Sequence, residues 1–277
     1  MITFNNKVLN VDGKWIKKVD PLNPLNLPAN TIRCRFVDGY TPTCGDTQTL
    51  VRDNIWDIYK ADNDWTGLFW YGYGTNNNTD LLEVIGANTS NVEYMIRMFS
   101  RCTSLTTVPL FDTSNVAYMN MMFEGCTSLT TVPLFDTSNV LSMWSTFQGC
   151  TSLTTVPLFN TSNVAGMTSM FYNCRSLASV PLFDTSSVID FSDMMHNCTS
   201  LTSVPLFDTS SATNMDSMFY YCYNVQSGAL ALYQQASTQE VRPSSHDNTF
   251  KYCGNDTASG YAELQQIPQS WGGYKAY

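Results

Sequence analysis

The sequence from Cys102 onward repeats itself with a period of 24 residues. CTSLTTVPLFDTSNV begins at Cys102 and again at Cys126, and the variant CTSLTTVPLFNTSNV begins at Cys150. Looser copies begin at Cys174 and Cys198. A chain that repeats with a fixed period of about 20–50 residues folds as a solenoid or an array, because each unit is a small structural element that stacks on the next.

Aligned on cysteine, the unit is C-x-S-L-x-x-V-P-L-F-D-T-S-N-V-x-x-M-x-x-M-F-x-x. Its length is typical of leucine-rich repeats, which span about 20–29 residues. The unit from residue 103 to 126 offers these candidate core residues: Leu105, Val108, Leu110, Phe111, Val116, Met119, Met122, Phe123 and Cys126. One unit is too small to fold alone, so the units must bury their apolar edges on one another.

The pattern inside each unit predicts its local structure. The short apolar segment L-x-x-V-P-L predicts one parallel strand per turn, with proline near the strand end. The segment D-T-S-N predicts a turn. The apolar spacing of three and four in M-x-x-M-F predicts one or two helical turns. We therefore expect a mixed α-β or mainly β solenoid, a right-handed coil with 24-residue turns.

The solenoid is predicted to span residues 81–226. Residues 1–80 match no unit and predict a β-rich domain for capping or anchoring, with strands at Lys7–Val11 and Thr31–Val37. An aromatic cluster, Trp65 to Tyr73, is expected to cover the first turn.

The C-terminal residues 227–277 break the period and are expected to form the second cap. SGALALYQQAST predicts a helix with Ser227 as its N-cap. Cys253 and the segment 264–268 then restore parts of the repeat pattern, so the last repeat is modified.

The units FDTSNVAYMNMMFEGCTSLTTVPL and their copies resemble the BspA-type leucine-rich repeats, also called bacterial surface protein repeats. This family is found in gut bacteria, mycoplasmas and phages of gut bacteria. The resemblance covers about residues 81–226. It implies a surface recognition or adhesion module without catalytic residues.

Six of the nine cysteines recur at the repeat period. Their Cβ vectors should point the same way in successive turns, which disfavours disulfides, and no C-x-x-C spacing suggests a metal site. We interpret them as small buried thiols. Cys34 and Cys44 lie outside the repeats and could pair.

An acidic row also recurs, formed by Asp112, Asp136, Asn160, Asp184 and Asp208. Stacked carboxylates could collect calcium, but Asn160 and its aspartate counterparts share an oxygen that caps a turn, so we favour Asx-turn capping. The repeating Met and Phe positions have core spacing and are interpreted as packing.

Catalysis has few candidate residues. The two histidines, His196 and His246, lie in a variable repeat slot and in a loop, and no catalytic or nucleotide-binding motif is present. His196 lies near Cys198, but packing already explains that cysteine. We therefore expect no enzyme activity, no cofactor and no metal.

The informative positions are those at which the repeats differ. Slots between the fixed Val and Met, and slots before Cys, should face solvent because they accept very different residues. Several of them hold large aromatic side chains, which are enriched in recognition surfaces. The candidate recognition face is Tyr118, Met121, Leu141, Trp144, Tyr172, His196, Tyr220 and Tyr221.

The charge and the N-terminus limit the partners and the location. The formal net charge is -9, with 14 basic and 23 acidic residues, so nucleic acid is not an expected partner. No apolar segment is long enough for membrane insertion, and Asp12 and Asp20 interrupt the start where a signal peptide would be apolar.

An adhesin-like repeat without an export signal predicts a phage virion component. We expect it to contact a host surface glycan or protein through its repeats and other virion proteins through its N-terminal domain. The alternatives are a secreted or cell-surface bacterial adhesin and a structural spacer of a particle. Homo-oligomerisation is left open.

Overall fold

The computed structural model describes residues 27–70, 78–240 and 243–275, together with the backbone of residues 3–4, 7–9 and 15–17. Within these residues the N-terminal part holds two antiparallel sheets. The three-stranded sheet has the order β1-β2-β3, and the four-stranded sheet has the order β5-β6-β4-β7. The strands are β1 (Thr3–Phe4), β2 (Lys7–Leu9), β3 (Trp15–Lys17), β4 (Thr31–Phe36), β5 (Thr47–Arg52), β6 (Ile55–Tyr59) and β7 (Leu81–Asn88).

Strand β4 is an inner strand of the second sheet, and its apolar side chains alternate along the strand. Ile32, Cys34 and Phe36 are buried, and Arg33 between them binds Asp57 of β6 with a 2.6 Å ion pair. The predicted strands at Lys7–Val11 and Thr31–Val37 correspond to β2 and β4. β7 pairs with β4, so the sheet leads directly into the coil.

From residue 89 to residue 228 the chain winds in 24-residue turns that are joined by parallel bridges. The bridges form just before the methionine segment, at Tyr94, Tyr118, Ser142, Gly166, Asp190 and Asn214. The same row continues to Asp64 on one side and Ser245 on the other. The solenoid therefore extends one rung beyond the regular copies at each end.

The methionine segment is not helical, which corrects the prediction from its spacing. Its alternate N–H groups donate to the next turn: Met121 N to Trp144 O at 3.0 Å and Phe123 N to Thr146 O at 2.9 Å. Met121 has φ 55°, in the left-handed region. Inter-turn hydrogen bonds thus replace the bonds to residue i−4 that an α-helix would make.

The L-x-x-V-P-L segment is not a strand either. Between residues 89 and 228 the structure has only isolated bridges, and this segment joins neighbouring turns through single bonds such as Thr130 N to Thr106 O at 3.0 Å. Pro133 lacks an N–H, and its carbonyl accepts from Phe135 N at 3.0 Å in a tight turn. Proline therefore interrupts the hydrogen bonds between neighbouring turns before a strand can form.

The D-T-S-N turn holds the coil together with three kinds of hydrogen bond. Asp136 Oδ1 accepts from Ser138 N at 3.0 Å, which confirms the predicted Asx capping. Thr137 Oγ1 donates forward to Asn160 O at 2.7 Å, and Asn139 Nδ2 donates back to Ser114 O at 2.6 Å. The turn therefore connects to both neighbouring turns.

The core is a set of stacked side-chain rows. Phe123 lies 5.5 Å from Phe99 and 5.7 Å from Phe147 between ring centroids, and the rings are nearly parallel. Eight of the nine core candidates of the unit 103–126 are buried. The exception is Leu110, which is 65% exposed, so its assignment to the core is wrong.

The repeat cysteines are buried free thiols. Cys150 Sγ donates to Phe123 O at 3.0 Å, and its neighbours make equivalent bonds. Cys34 and Cys44 are also free thiols.

Both ends of the core are covered. Trp65 and Phe69 are buried, and Phe69 stacks on Phe99 at 5.4 Å, as predicted for the aromatic cluster; residues 71–73 of that cluster lie outside the described residues. The C-terminal cap contains α1 (Ala229–Thr238), α2 (Ala258–Leu264) and a 3₁₀ helix (Gln269–Trp271).

The N-cap of α1 is Gly228, not Ser227, which corrects the prediction. Gly228 has φ 99°, and a Cβ there would lie 2.3 Å from Val204 O, so only glycine fits. Among the described residues, no helix has the length and apolar character needed to cross a membrane.

Candidate functional site

The main aromatic surface of the described coil lies at its C-terminal end. We define the tyrosine cluster as Tyr172, His196, Tyr220, Tyr221, Tyr223 and Tyr252. Tyr172, His196 and Tyr220 occupy the same repeat slot, so the coil stacks them in consecutive turns. The ring centroids are 4.6 Å apart between Tyr172 and His196 and 4.9 Å apart between His196 and Tyr220.

A second row of rings lies beside the first. The rings of Tyr221 and Tyr252 are almost parallel, with centroids 5.4 Å apart, and Tyr220 stacks on Tyr221 at 3.9 Å. Lys251 Nζ lies 5.7 Å from the Tyr220 ring and 5.8 Å from the Tyr252 ring, at cation–π distance. The cluster is therefore one continuous group of rings with a single cation at its C-terminal side.

The backbone at Tyr221 and Tyr252 has an unusual conformation for such large residues. Their φ values are 63° and 61°, in the left-handed region. The equivalent slot in earlier turns is left-handed as well. It holds Arg101, Gly125, Gly149, Asn173 and Asn197, with φ values between 59° and 73°. The left-handed conformation therefore belongs to the repeat, and at Tyr221 and Tyr252 it carries a large aromatic side chain.

Polar contacts fix the edges of the cluster. His196 Nδ1 lies 2.7 Å from Asp193 Oδ1, and the Tyr220 hydroxyl donates to the Tyr221 hydroxyl at 3.0 Å. The hydrogen bond to Tyr221, with a smaller contribution from burial, raises the pKa of Tyr220 to about 12. The rings are half-buried, so each is partly accessible to solvent while its position is held by packing.

A surface cavity of about 230 Å³ adjoins the cluster. Its lining includes Lys251 and Tyr252 together with Gly272 and Tyr274 of the cap. The cavity gives the cluster a concave border at the end of the coil.

The structure brings together four of the eight predicted site residues, namely Tyr172, His196, Tyr220 and Tyr221. The other four lie in different slots. Tyr118 stacks on Tyr94 at 5.5 Å. Leu141 and Trp144 are 47% and 41% exposed.

Met121 does not face solvent, so that prediction is wrong. Its side chain is 6% exposed, and its sulfur lies 3.1 Å from Nε of Arg97 in the preceding turn.

Sequence reasoning missed Tyr223, Lys251 and Tyr252. The step from Cys222 to Cys253 is 31 residues, so the last rung is out of phase with the 24-residue period. Aligning Cys253 with Cys222 would have placed Tyr252 in the slot of Tyr221. Within the described residues, no group of three or more His, Cys, Asp or Glu side chains is placed to share a metal ion.

A family model described as "Mycoplasma protein of unknown function, DUF285" matches residues 71–180 and 154–246, which together span more than half of the chain. The predicted resemblance to a bacterial repeat family is confirmed by this match. No curated protein is significantly similar to the chain.

Solved structures of leucine-rich-repeat proteins are similar to the chain. The T. pallidum leucine-rich repeat protein is 21% identical, with 65% of this chain and 76% of that chain covered and a TM-score of 0.45. A leucine rich cell surface protein from Faecalibacterium prausnitzii is 14% identical, with 75% and 84% covered and a TM-score of 0.30. The chain described above is a leucine-rich-repeat solenoid.

Proposed function

The chain belongs to the DUF285 family, and from that premise we propose that it is a non-enzymatic recognition protein that binds a protein ligand through the tyrosine cluster. The observation that carries the proposal is the continuous, half-buried group of rings from Tyr172 to Tyr252. Tyrosine is enriched at recognition surfaces because it combines a large apolar ring with a polar hydroxyl.

The stacking inside the cluster favours a protein over a glycan. A sugar ring stacks on an open aromatic face, but each of Tyr220, Tyr221 and Tyr252 already has a face against a neighbouring ring. Ring edges and hydroxyls remain for the ligand, and these suit the mixed polar and apolar surface of a protein.

The cluster is also rigid, which favours binding. Its rings are attached to a backbone that is hydrogen-bonded to the neighbouring turn, for example Tyr221 N to Lys251 O at 3.1 Å. Side chains that are already ordered lose little conformational freedom when a ligand binds.

A bacterial cell surface replaces the phage particle as the proposed location. The family description names Mycoplasma, and one similar protein is described as a cell surface protein. Neither description mentions a phage, so the virion assignment gains no support from them.

The test compares three purified proteins on a panel of immobilised extracellular proteins and glycans. The first is the wild type, the second carries Tyr220→Ser, Tyr221→Ser and Tyr252→Ser, and the third carries Tyr118→Ser and Trp144→Ser as a matched aromatic control. We expect a protein on the panel to bind the wild type and the control but to lose at least about tenfold in affinity for the cluster variant. Equal binding by a folded cluster variant would exclude the tyrosine cluster as the binding site. Binding to a glycan of the panel, and to none of its proteins, would exclude a protein ligand.

A further inference from the structure

A row of leucines runs along the outside of the coil, on a different part of each turn from the tyrosine cluster. Leu110, Leu134, Leu158, Leu182 and Leu206 occupy the same slot in five consecutive turns and are between 51% and 65% exposed. We call this row the leucine stripe. Single exposed leucines are ordinary on protein surfaces, whereas a continuous apolar row is typical of an interaction site.

The stripe is regular because each leucine precedes a buried phenylalanine of the core. Centroid distances between successive phenylalanines are 4.9 Å for Phe111 and Phe135 and 6.3 Å for Phe159 and Phe183. The leucines therefore follow one another at roughly 5–6 Å, and the stripe is on the order of 22 Å long.

An acidic row accompanies the stripe. The residue two positions after each leucine is also exposed, since only the phenylalanine between them points inward. This row is Asp112, Asp136, Asn160, Asp184 and Asp208. Hydrogen bonds from Ser138 and Ser186 hold the pKa values of Asp136 and Asp184 below their usual range, so both remain charged at neutral pH.

Few cations lie in the part of the sequence that carries this acidic row. Residues 102–240 contain nine acidic side chains and one basic side chain, Arg175. A partner that covers the leucines must therefore supply positive charge beside its apolar groups.

We propose that the leucine stripe binds a cationic amphipathic helix of a partner protein. Apolar side chains at positions i and i+3 or i+4 of a helix lie about 5–6 Å apart, which matches the leucine spacing. A stripe of this length accommodates about 15 helical residues at 1.5 Å each. Lysine or arginine on one flank of the apolar face would lie along the acidic row, as in other helix-binding surfaces.

The same charges argue against a second copy of the chain as the occupant. Two stripes packed face to face would bring two acidic rows into one interface, and Arg175 alone could offset them. Self-association through this face is therefore disfavoured.

The probe is a synthetic 15-residue peptide with leucine along one helical face and lysine beside it. A scrambled peptide of identical composition separates the helical pattern from simple charge attraction. The protein variants are Leu134→Gln with Leu158→Gln and Leu182→Gln, and Asp136→Asn with Asp184→Asn. The aspartate changes keep the cap, because Asn160 already caps its own turn through Oδ1. Leu141→Gln with Ile189→Gln is the control, since these apolar residues are 47% and 49% exposed in another slot.

We expect the wild type and the control to bind the patterned peptide. The leucine variant should bind it at least about tenfold more weakly. The aspartate variant should bind several-fold more weakly and with a smaller dependence on salt. Equal binding of the scrambled peptide, undiminished binding by the leucine variant, or no binding by the wild type would each overturn the proposal.

Analytical ultracentrifugation of the wild type and the leucine variant tests the competing occupant. A wild-type dimer that the leucine variant converts to a monomer would show that a second copy covers the stripe and would also overturn the proposal. The tyrosine cluster is unchanged in every one of these variants, so failure here leaves the recognition function standing.

Discussion

Tyr220 and Tyr221 are consecutive in the sequence, yet their rings stack with centroids 3.9 Å apart and planes inclined by 19°. Consecutive side chains usually diverge, since they point to opposite faces of a strand and about 100° apart on a helix. Here the left-handed backbone of Tyr221, with φ 63°, turns both side chains to one side of the coil. The stacked pair is thus built into the backbone of the turn.

The Tyr220–Tyr221 pair should be visible in an alkaline titration. The hydrogen bond to Tyr221 raises the pKa of Tyr220 to about 12 from its usual 10.0, so the folded chain holds this proton more tightly than the unfolded chain. The contribution to the free energy of unfolding is complete below about pH 10 and is lost as the pH rises through about 12.

Tyr221→Phe should abolish that contribution and bring the pKa of Tyr220 down toward its usual value. Near-ultraviolet absorbance of tyrosinate, together with the thermal midpoint over the same pH range, measures both effects. Tyr94→Phe is the control outside the cluster. An unchanged tyrosinate titration in Tyr221→Phe would contradict the assignment.

The threonine of the D-T-S-N turn should matter more for stability than the exposed threonines of the repeat. Thr137 is buried, and its hydroxyl donates to Asn160 O at 2.7 Å. Thr137→Val keeps the shape but leaves this carbonyl without its donor, so we expect a loss of about 1–3 kcal/mol in the free energy of unfolding. Thr130→Val removes the exposed 3.3 Å bond to Thr106 O and should change it by less than ~0.5 kcal/mol. Urea denaturation of both variants gives the comparison, and equal losses would refute it.

The sequence predicted the coil because its 24-residue period determines which residues of successive turns stack on one another. The same period places Tyr172, His196 and Tyr220 in one slot, and the structure stacks their rings in consecutive turns. The contribution of Tyr252 was missed because the inserted helix α1 displaces that turn from the 24-residue period, and the turn is recognised only when Cys253 is aligned with Cys222. The expectation that variable positions face solvent also failed at Met121, whose side chain is buried and lies against Arg97 of the preceding turn.

The local structure within the repeat was harder to predict than the stacking. The M-x-x-M-F spacing fits a helix equally well, but inter-turn hydrogen bonds satisfy its N–H groups and make a helix unnecessary. The pair Leu110-Phe111 consists of two adjacent apolar residues, and composition alone does not show which one faces inward. The structure buries Phe111 and exposes Leu110, and that outcome produces the leucine stripe.

Truncation of two leucines of the same repeat should therefore change the free energy of unfolding by very different amounts. Leu153 is fully buried, whereas Leu158 is 59% exposed. Leu153→Ala leaves a cavity between stacked turns and should lower the free energy of unfolding by about 2–5 kcal/mol. Leu158→Ala should change it by less than ~0.5 kcal/mol. Thermal or urea unfolding of the two variants measures the difference, and a large loss in Leu158→Ala would return this leucine to the core.

The cysteines should differ in reactivity according to their burial. Burial raises the pKa of the repeat thiols, to about 12 in Cys222 and well above its usual value in Cys150, so little thiolate is present at neutral pH. Cys44 also has its pKa raised to about 12 by burial, but its side chain is only half-buried.

We therefore expect iodoacetamide to modify Cys44 first in the folded protein, while the six repeat cysteines react only in denaturant. Peptide mass spectrometry of samples taken over time measures the order of modification, and a denatured sample shows that every cysteine can react. The same experiment also detects disulfides. We expect none between successive turns, because the Cys150 thiol donates its hydrogen to Phe123 O and must be reduced to do so. Early modification of the repeat cysteines, or a disulfide between successive turns, would show that the stacked core is not closed as the structure indicates.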